Sequence, residues 1–274
     1  MEYSTEDLSK IAYRIRMHVI EMTSRAGSGH PGGSLSSAEL MAALYFRVLR
    51  HDPKDPEWDG RDRFILSKGH VAPVLYATLA EAGYFETETL ITLRKMGSML
   101  QGHPVKGKVP GVEMSTGSLG QGLSMCCGMA LAARLDKKDT RTYCLLGDGE
   151  LQSGQVWEAA MLAGHYKLDS LTAFVDRNRL QITGDTEKAI GLDPLAEKWR
   201  AFRWNVIETD GHSIASIIKA CDEAKAFKGM PTMIILNTVK GKGVSFMEGN
   251  ADFHGKACKP DEEDKAMCEL RGHC

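Results

Sequence analysis

Apolar residues at Leu8, Ile11, Ala12, Ile15, Val19 and Met22 recur at steps of three and four, a period that lays one apolar face along a helix. Ser4 stands ahead of the run with Asp7 three residues on, the spacing at which a cap hydroxyl and a returning carboxylate satisfy each other's backbone donors. A second helix is expected to carry Leu40, Met41, Leu44, Tyr45 and Val48. Residues 71–82 and 86–96 predict two more, closed by Gly83 and Gly97, because glycine takes the left-handed conformation that ends a helix. Short β-rich runs alternate with these helices at residues 64–66, 142–146, 171–175, 205–208 and 232–238. Several are apolar at consecutive positions, as a strand covered on both faces must be. That alternation predicts an α/β fold: a mainly parallel sheet flanked by helices, with functional loops at the carboxyl ends of the strands.

No repeat, low-complexity tract or linker interrupts the chain, so residues 1–274 read as a single domain with a short charged tail from Lys256 onwards, helical in pattern. Hydrophobic residues make up 43% of it, enough for a substantial core. The formal net charge of −2, with Lys and Arg scattered, argues against nucleic acid as the main partner, since binding a phosphate backbone needs a concentrated basic surface. No apolar run approaches the roughly 20 residues that span a bilayer. The opening Met-Glu-Tyr-Ser-Thr-Glu-Asp is acidic where a secretory leader would be basic, so the expected location is the cytoplasm, away from membranes. Seven cysteines follow no framework spacing, and adjacent Cys126 and Cys127 are poorly placed for a disulfide, which points to free thiols. The tail holds His254, Cys258, Cys268, His273 and Cys274 without the CxxC pair that anchors a zinc site, and it is not read as one.

The strongest chemical signal follows the run at 142–146, where the chain turns into Gly147-Asp148-Gly149-Glu150 and then a helix through Trp157, Glu158 and Ala163. Asp148 would face the crevice from a strand's carboxyl end. Gly149 leaves its N–H open to a phosphate, and a helix N-terminus favours an anion. The next strand ends in Asp176-Arg177-Asn178, so neighbouring βα units can offer one carboxylate and one amide oxygen to a single point. Such hard oxygens suit Mg²⁺, which completes its shell with phosphate and water. A lone Gly-Asp-Gly is ordinarily just a turn; its placement between two strands, with Asn178 after the second, favours a metal–diphosphate site.

Residues 147–184 resemble the thiamine-diphosphate signature of transketolases and their relatives. The resemblance implies that Asp148, the Asn178 side chain and the Leu180 carbonyl hold Mg²⁺, with Ca²⁺ or Mn²⁺ able to substitute. It implies that Gly149 and Glu150 lie at the diphosphate and that Ile182 packs on the cofactor rings. Many members have Asp or Asn where this chain has Arg177; side-chain alternation is expected to turn that position away from the ion.

Four histidines sit in glycine-flanked loops that match transketolase motifs: Gly29-His30-Pro31-Gly32-Gly33, Ser67-Lys68-Gly69-His70, Gly102-His103-Pro104 and Phe253-His254-Gly255. A single loop histidine is usually a surface residue, but glycine lets backbone approach a ligand closely and imidazole titrates near neutrality. By the resemblance, His70 and His254 contact the diphosphate, while His30 and His103 face the donor's hydroxyls. The loop Gly117-Ser118-Leu119 lies over the reacting end of the cofactor, where the bland alternative is a glycine-rich helix start. Arg94 matches a position near the acceptor sugar, though a helical arginine is usually just solvated. Glu158 matches a carboxylate at the interface between the two domain types, and its helix position suits an ordinary surface site equally well. His212, in Asp210-Gly211-His212-Ser213, reads as structural or as support for the site.

In the family, a glutamate on a second, pyrimidine-binding domain assists deprotonation of the cofactor, and nothing here matches that domain. Ser153 also replaces a carboxylate found in many members, which puts an extended carboxylate relay in doubt. The expectation is the N-terminal subunit of a two-chain transketolase, moving a ketol unit between sugar phosphates in an α2β2 assembly with a complementary C-terminal subunit. The alternatives are the matching half of a deoxyxylulose-phosphate synthase or a 2-oxo-acid dehydrogenase, and a non-catalytic cofactor-binding subunit. Gly-His-Pro-Gly-Gly, Gly-His-Pro and Ser-Thr-Gly-Ser-Leu-Gly-Gln-Gly fit transketolase better, and a non-catalytic subunit predicts lost ligands that are present. Whether the substrate's far end is phosphate or sulfonate stays open.

Overall fold

The computed structural model describes residues 3–272, which leaves His273 and Cys274 of the tail outside the described residues. Helix α1 (Thr5–Ala26) forms with the expected box: Asp7 N–H donates to Ser4 Oγ and Ser4 N–H to Asp7 Oδ2, each at 3.1 Å. Helices α2 (Pro31–Leu35) and α3 (Ala38–Ala43) follow, and α3 runs on to Val48 as a wider π turn. Strand β1 (Arg63–Leu66) leads into α4 (Ala72–Glu81). After a long loop come α5 (Gln121–Leu135), β2 (Thr142–Gly147), α6 (Gly154–His165) and β3 (Leu171–Arg177). A small antiparallel hairpin, β4 (Leu180–Gln181) and β5 (Gly184–Asp185), precedes the short helices α7 (Thr186–Ala189) and α8 (Leu195–Ala201). Strand β6 (Asn205–Asp210), α9 (Ile214–Ala226), β7 (Thr232–Asn237) and α10 (Pro260–Arg271) complete the order.

The main sheet runs β1-β2-β3-β7-β6 with every pair parallel. Alternate residues of its central strands enter two separate cores. Tyr143, Leu145, Phe174, Ile234 and Leu236 meet α1, α3, α4 and α9 on one face, whereas Cys144, Leu146, Ala173, Val175, Met233 and Ile235 meet α5, α6 and α8 on the other. This double coverage is why the strands read as continuous apolar runs. The register sets Gly147 beside Asp176 and Asp176 beside Leu236, so the strands deliver their polar ends to one level.

The first and last helices close on each other. Ala266 and Leu270 of α10 are buried in the core shared with α1, and Ser24 Oγ donates to Glu263 Oε2 at 2.5 Å. Cys126, Cys127, Cys144, Cys221 and Cys258 are buried free thiols, whereas Cys268 is disulfide-bonded, which corrects the expectation of free thiols at that position.

Two local expectations are corrected. Residues 86–96 do not form an α-helix: only Thr87–Thr92 coils, as a 3₁₀ segment, and Arg94 sits at φ 60° with its N–H bonded to Leu100 O. Thr92 Oγ1 donates back to Thr89 O, the local competition that β-branched hydroxyl residues bring to a helix. Nor does a long helix start directly after Gly-Asp-Gly. Gly149–Gln152 is a short 3₁₀ turn, and α6 begins at Gly154.

Candidate active site

A cleft of about 360 Å³ opens at the carboxyl ends of β2, β3 and β7. Eleven of the expected residues line it: His30, His70, Gly117, Leu119, Asp148, Gly149, Glu150, Asn178, Leu180, Ile182 and His254. His103, Ser118 and Arg94 stand beside it rather than in its wall. Tyr76 donates to the His103 carbonyl at 3.0 Å, which fixes that loop next to Gly117. Glu158 is exposed on α6 and does not line the cleft.

His30, His70 and His254 form a triangle, with ring centroids 5.1, 5.6 and 5.3 Å apart. Close backbone contact makes this triangle reachable. A Cβ on Gly32 would meet Phe253 O at 2.8 Å and Lys240 at 3.2 Å, and one on Gly69 would meet the Thr116 backbone at 2.7 Å. Burial, then the charges of Arg94, His103 and Lys240, hold His30 at about 4. Burial followed by Lys240 does the same for His254, and burial followed by Lys68 holds His70 lower still. All three rings are therefore neutral at pH 7.

Asp148 is 2% exposed, and its Oδ2 accepts from Arg179 N–H at 2.5 Å. Gly149 N–H donates to Asp148 Oδ1 at 2.8 Å instead of crowning a helix. Asn178 is oriented by Asp176: its Nδ2 donates to Asp176 Oδ2 at 2.9 Å, and its Oδ1 accepts Leu180 N–H at 3.1 Å, which leaves that oxygen one further lone pair. Asp176 is itself a hub. It accepts from Lys68 Nζ at 2.5 Å, from Ser36 Oγ at 2.6 Å and from Thr238 Oγ1. Burial would raise its carboxyl, but the charge and hydrogen bond of Lys68 together with the hydroxyls of Ser36 and Thr238 outweigh burial and hold it below the usual range.

The expectation that Arg177 points away is overturned. Its guanidinium is buried, stands 3.4 Å from Asp148 Oδ2, and bonds Thr186 Oγ1 at 2.9 Å and Glu187 Oε1 at 2.6 Å. Alternation itself holds, since Arg177 continues the Ala173 and Val175 face of β3, and it is on that face that its guanidinium meets Asp148, Thr186 and Glu187. Glu150 lines the cleft but spends its oxygens as a brace. They accept from Ser67 Oγ at 2.5 Å, Gly120 N–H at 2.8 Å and Gly147 N–H at 3.0 Å.

Three residues that build the cleft escaped sequence reasoning: Lys68 and Lys240, which line it, and Asp176, which orients Asn178. Lys240 is 2% exposed, and its ammonium meets the Leu180 carbonyl at 3.0 Å and His254 Nδ1 at 2.8 Å. Burial pulls it down to about 8. The signals were available, since Lys68 lies inside Ser-Lys-Gly-His, Asp176 precedes Asn178 by one strand repeat, and Lys240 follows the end of β7 beside Gly241.

The donor set fits a divalent ion with a diphosphate. One carboxylate, one amide oxygen and one backbone carbonyl are hard ligands, and the Lys240 ammonium with the neutral imidazoles of His70 and His254 can meet the phosphates, whereas Lys68 spends its ammonium on Gly33 O, Ser37 Oγ and Asp176. His30 Nδ1 and Gln181 Oε1, both facing the cleft, are buried without a hydrogen-bond partner. Among the described residues no group of three His, Cys, Asp or Glu side chains is placed to hold a metal. None of their helices is long and apolar enough to cross a membrane.

A parallel sheet with a polar cleft at its carboxyl edge defines an α/β platform of the kind that binds a diphosphate cofactor. The chain belongs to the transketolase family: residues 8–271 match its thiamine diphosphate binding domain. It is 48% identical over 264 residues to the 6-deoxy-6-sulfo-D-fructose transketolase subunit SqwG of Clostridium sp. (strain MSTE9), covering 96% of each chain. It is 43% identical to one of the subunits of the apulose-4-phosphate transketolase of Phocaeicola vulgatus, covering 97% of this chain and 94% of that one. A crystal structure of transketolase from Pichia stipitis superposes with a TM-score of 0.92 at 37% identity, over 98% of this chain but 41% of the other. The chain thus spans about two fifths of that transketolase and nearly the whole of the subunits it resembles.

Proposed function

We propose that this chain is the cofactor-binding component of a two-chain transketolase, which transfers a two-carbon ketol unit from a ketose phosphate or related ketose to an aldose. The observation that carries the reading is the convergence of Asp148, Asn178 and Leu180 with His70, His254 and Lys240 in one cleft. Asp148, Asn178 Oδ1 and the Leu180 carbonyl would hold Mg²⁺, with Ca²⁺ or Mn²⁺ as substitutes. His70, His254 and Lys240 would meet the diphosphate, and Gly149 and Glu150 would lie beside it. Gly117, Ser118, Leu119 and Ile182 would face the rings. When bound, thiamine diphosphate supplies a nucleophilic carbon that accepts and returns the ketol unit. His30 is a neutral imidazole at pH 7, able to exchange a proton with a donor hydroxyl, and His103 and Arg94 stand where the sugar chain would run.

Leu119 and Ile182 flank the mouth at 43% and 71% exposure, so this chain walls the cleft on one side. The complementary C-terminal subunit, with its pyrimidine-binding domain, would supply the other wall and the acid for the cofactor ring. Glu158 lies on an exposed face of α6 with Met161 and Leu162, a surface suited to that contact. The assembly this reading expects is a two-fold α2β2 complex in the cytoplasm. The substrates would be sugar phosphates or a sulfonated ketose, as the names of the relatives suggest. The test measures transfer between a ketose phosphate donor and an aldose phosphate, with each chain alone and then mixed. Turnover is expected only in the mixture, and robust turnover by this chain alone would sink the reading.

A further inference from the structure

Behind the cleft lies a buried charged network that the proposed chemistry does not use. Glu39 of α3 is 8% exposed and accepts from Arg16 Nη2 at 2.7 and 2.6 Å. Its Oε2 also lies 3.2 Å from His212 Nδ1. Burial would raise the Glu39 carboxyl, but the hydrogen bonds from His212 and Arg16 outweigh it and hold the group below its usual range. His212 is fixed in the β6–α9 turn by its own N–H, which donates to Asp210 Oδ1 at 2.8 Å. The far ring nitrogen, Nε2, accepts the Val239 N–H at 2.8 Å. A ring that accepts at Nε2 carries its proton on Nδ1, facing Glu39, so the two contacts select one tautomer.

Val239 is the residue before Lys240, and the chain there has already left β7 at Asn237. The turn is pinned on either side of that bond. Thr238 N–H reaches Arg177 O at 3.3 Å, and Gly241 N–H reaches Gly32 O at 2.9 Å. We propose that His212, oriented by Glu39, is a positioning residue that aims Lys240 into the cleft. Lys240 O also accepts Gly249 N–H at 3.0 Å, so without an acceptor at Val239 the freedom gained lies in the peptide between Thr238 and Lys240. The buried ammonium would then lose its place between the Leu180 carbonyl and His254 Nδ1. The inference rests on the reading that Lys240 meets the cofactor's diphosphate, and it extends that reading to two groups that line no part of the cleft.

Two substitutions separate the halves of the His212 contact. His212→Asn keeps a donor for Glu39 at the place of Nδ1 but stops short of Val239, whereas His212→Gln reaches Val239 with an acceptor. Binding of thiamine diphosphate with Mg²⁺ is measured by calorimetry on the chain reconstituted with its complementary subunit, and amide exchange at Val239 and Lys240 on the free chain. His212→Asn should weaken cofactor binding about tenfold, the weight of one lost hydrogen bond, and speed exchange at Val239. His212→Gln should restore both to within about threefold of the parent. On a Lys240→Met background, His212→Asn should add no further loss, because the ammonium it aims is gone. An equal loss in both backgrounds, or unchanged binding in His212→Asn while Lys240→Met weakens it, overturns the inference. If neither Lys240→Met nor Asp148→Ala alters binding, the assignment of the cleft itself fails.

Discussion

At Asp148 two demands meet. Burial, then the charge of Asp176, raise its carboxyl to about 6, although Arg179 N–H, Arg177 and Gly149 N–H all favour the ionised form. A carboxyl raised above its ordinary value binds its proton more tightly folded than unfolded. Its ionisation between about pH 4 and 6 therefore costs the ligand-free chain stability, and a metal ion must displace that proton at lower pH. The thermal stabilisation given by Mg²⁺ with thiamine diphosphate should accordingly shrink as pH falls from 7 to 5, and Asp148→Asn should flatten the dependence. Asp148→Ala removes the only anionic oxygen of the proposed donor set, and calorimetry on the reconstituted complex should show cofactor affinity falling by at least about 10–100-fold. The histidines divide by what they touch. His254→Ala should mainly weaken cofactor binding, whereas His103→Ala, outside the cleft wall, should spare binding and reduce donor turnover, because only groups that meet the reacting carbons change the chemical step. Equal affinities in both variants would remove that division.

Among the elements, β3 joins the two kinds of residue this fold depends on. Its first five residues were legible from the run at 171–175, since apolar side chains on both faces announce a covered parallel strand. Its last two were not, because Asp176 and Arg177 act through partners far away in sequence: Ser36, Lys68 and Thr238 for one, Asp148 and Glu187 for the other. The loop motifs containing His30, His70 and His254 could be read from glycine and histidine alone. The 3₁₀ segment at Thr87–Thr92 could not, since its end is decided by the bond from Arg94 N–H to Leu100 O. Arg177 also ties the end of β3 to the segment that follows the hairpin, through Glu187 and through Asp193 at 3.3 Å. Glu187 and Asp193 are partly solvated, and only the longer contact to Asp148 is fully buried, so Arg177→Met should cost about 2 kcal/mol in chemical denaturation, less than a close, fully buried pair would.

For the whole molecule, the packing of α10 against α1 governs how the chain can be made. The apolar face of α1 leaves the ribosome long before the part of its covering that α10 supplies. At roughly 5–20 residues per second, the intervening synthesis takes about ten to fifty seconds. During that time the nascent helix carries an uncovered apolar stripe, a ready substrate for ribosome-associated chaperones, and the core is completed only as the turns of α10 emerge.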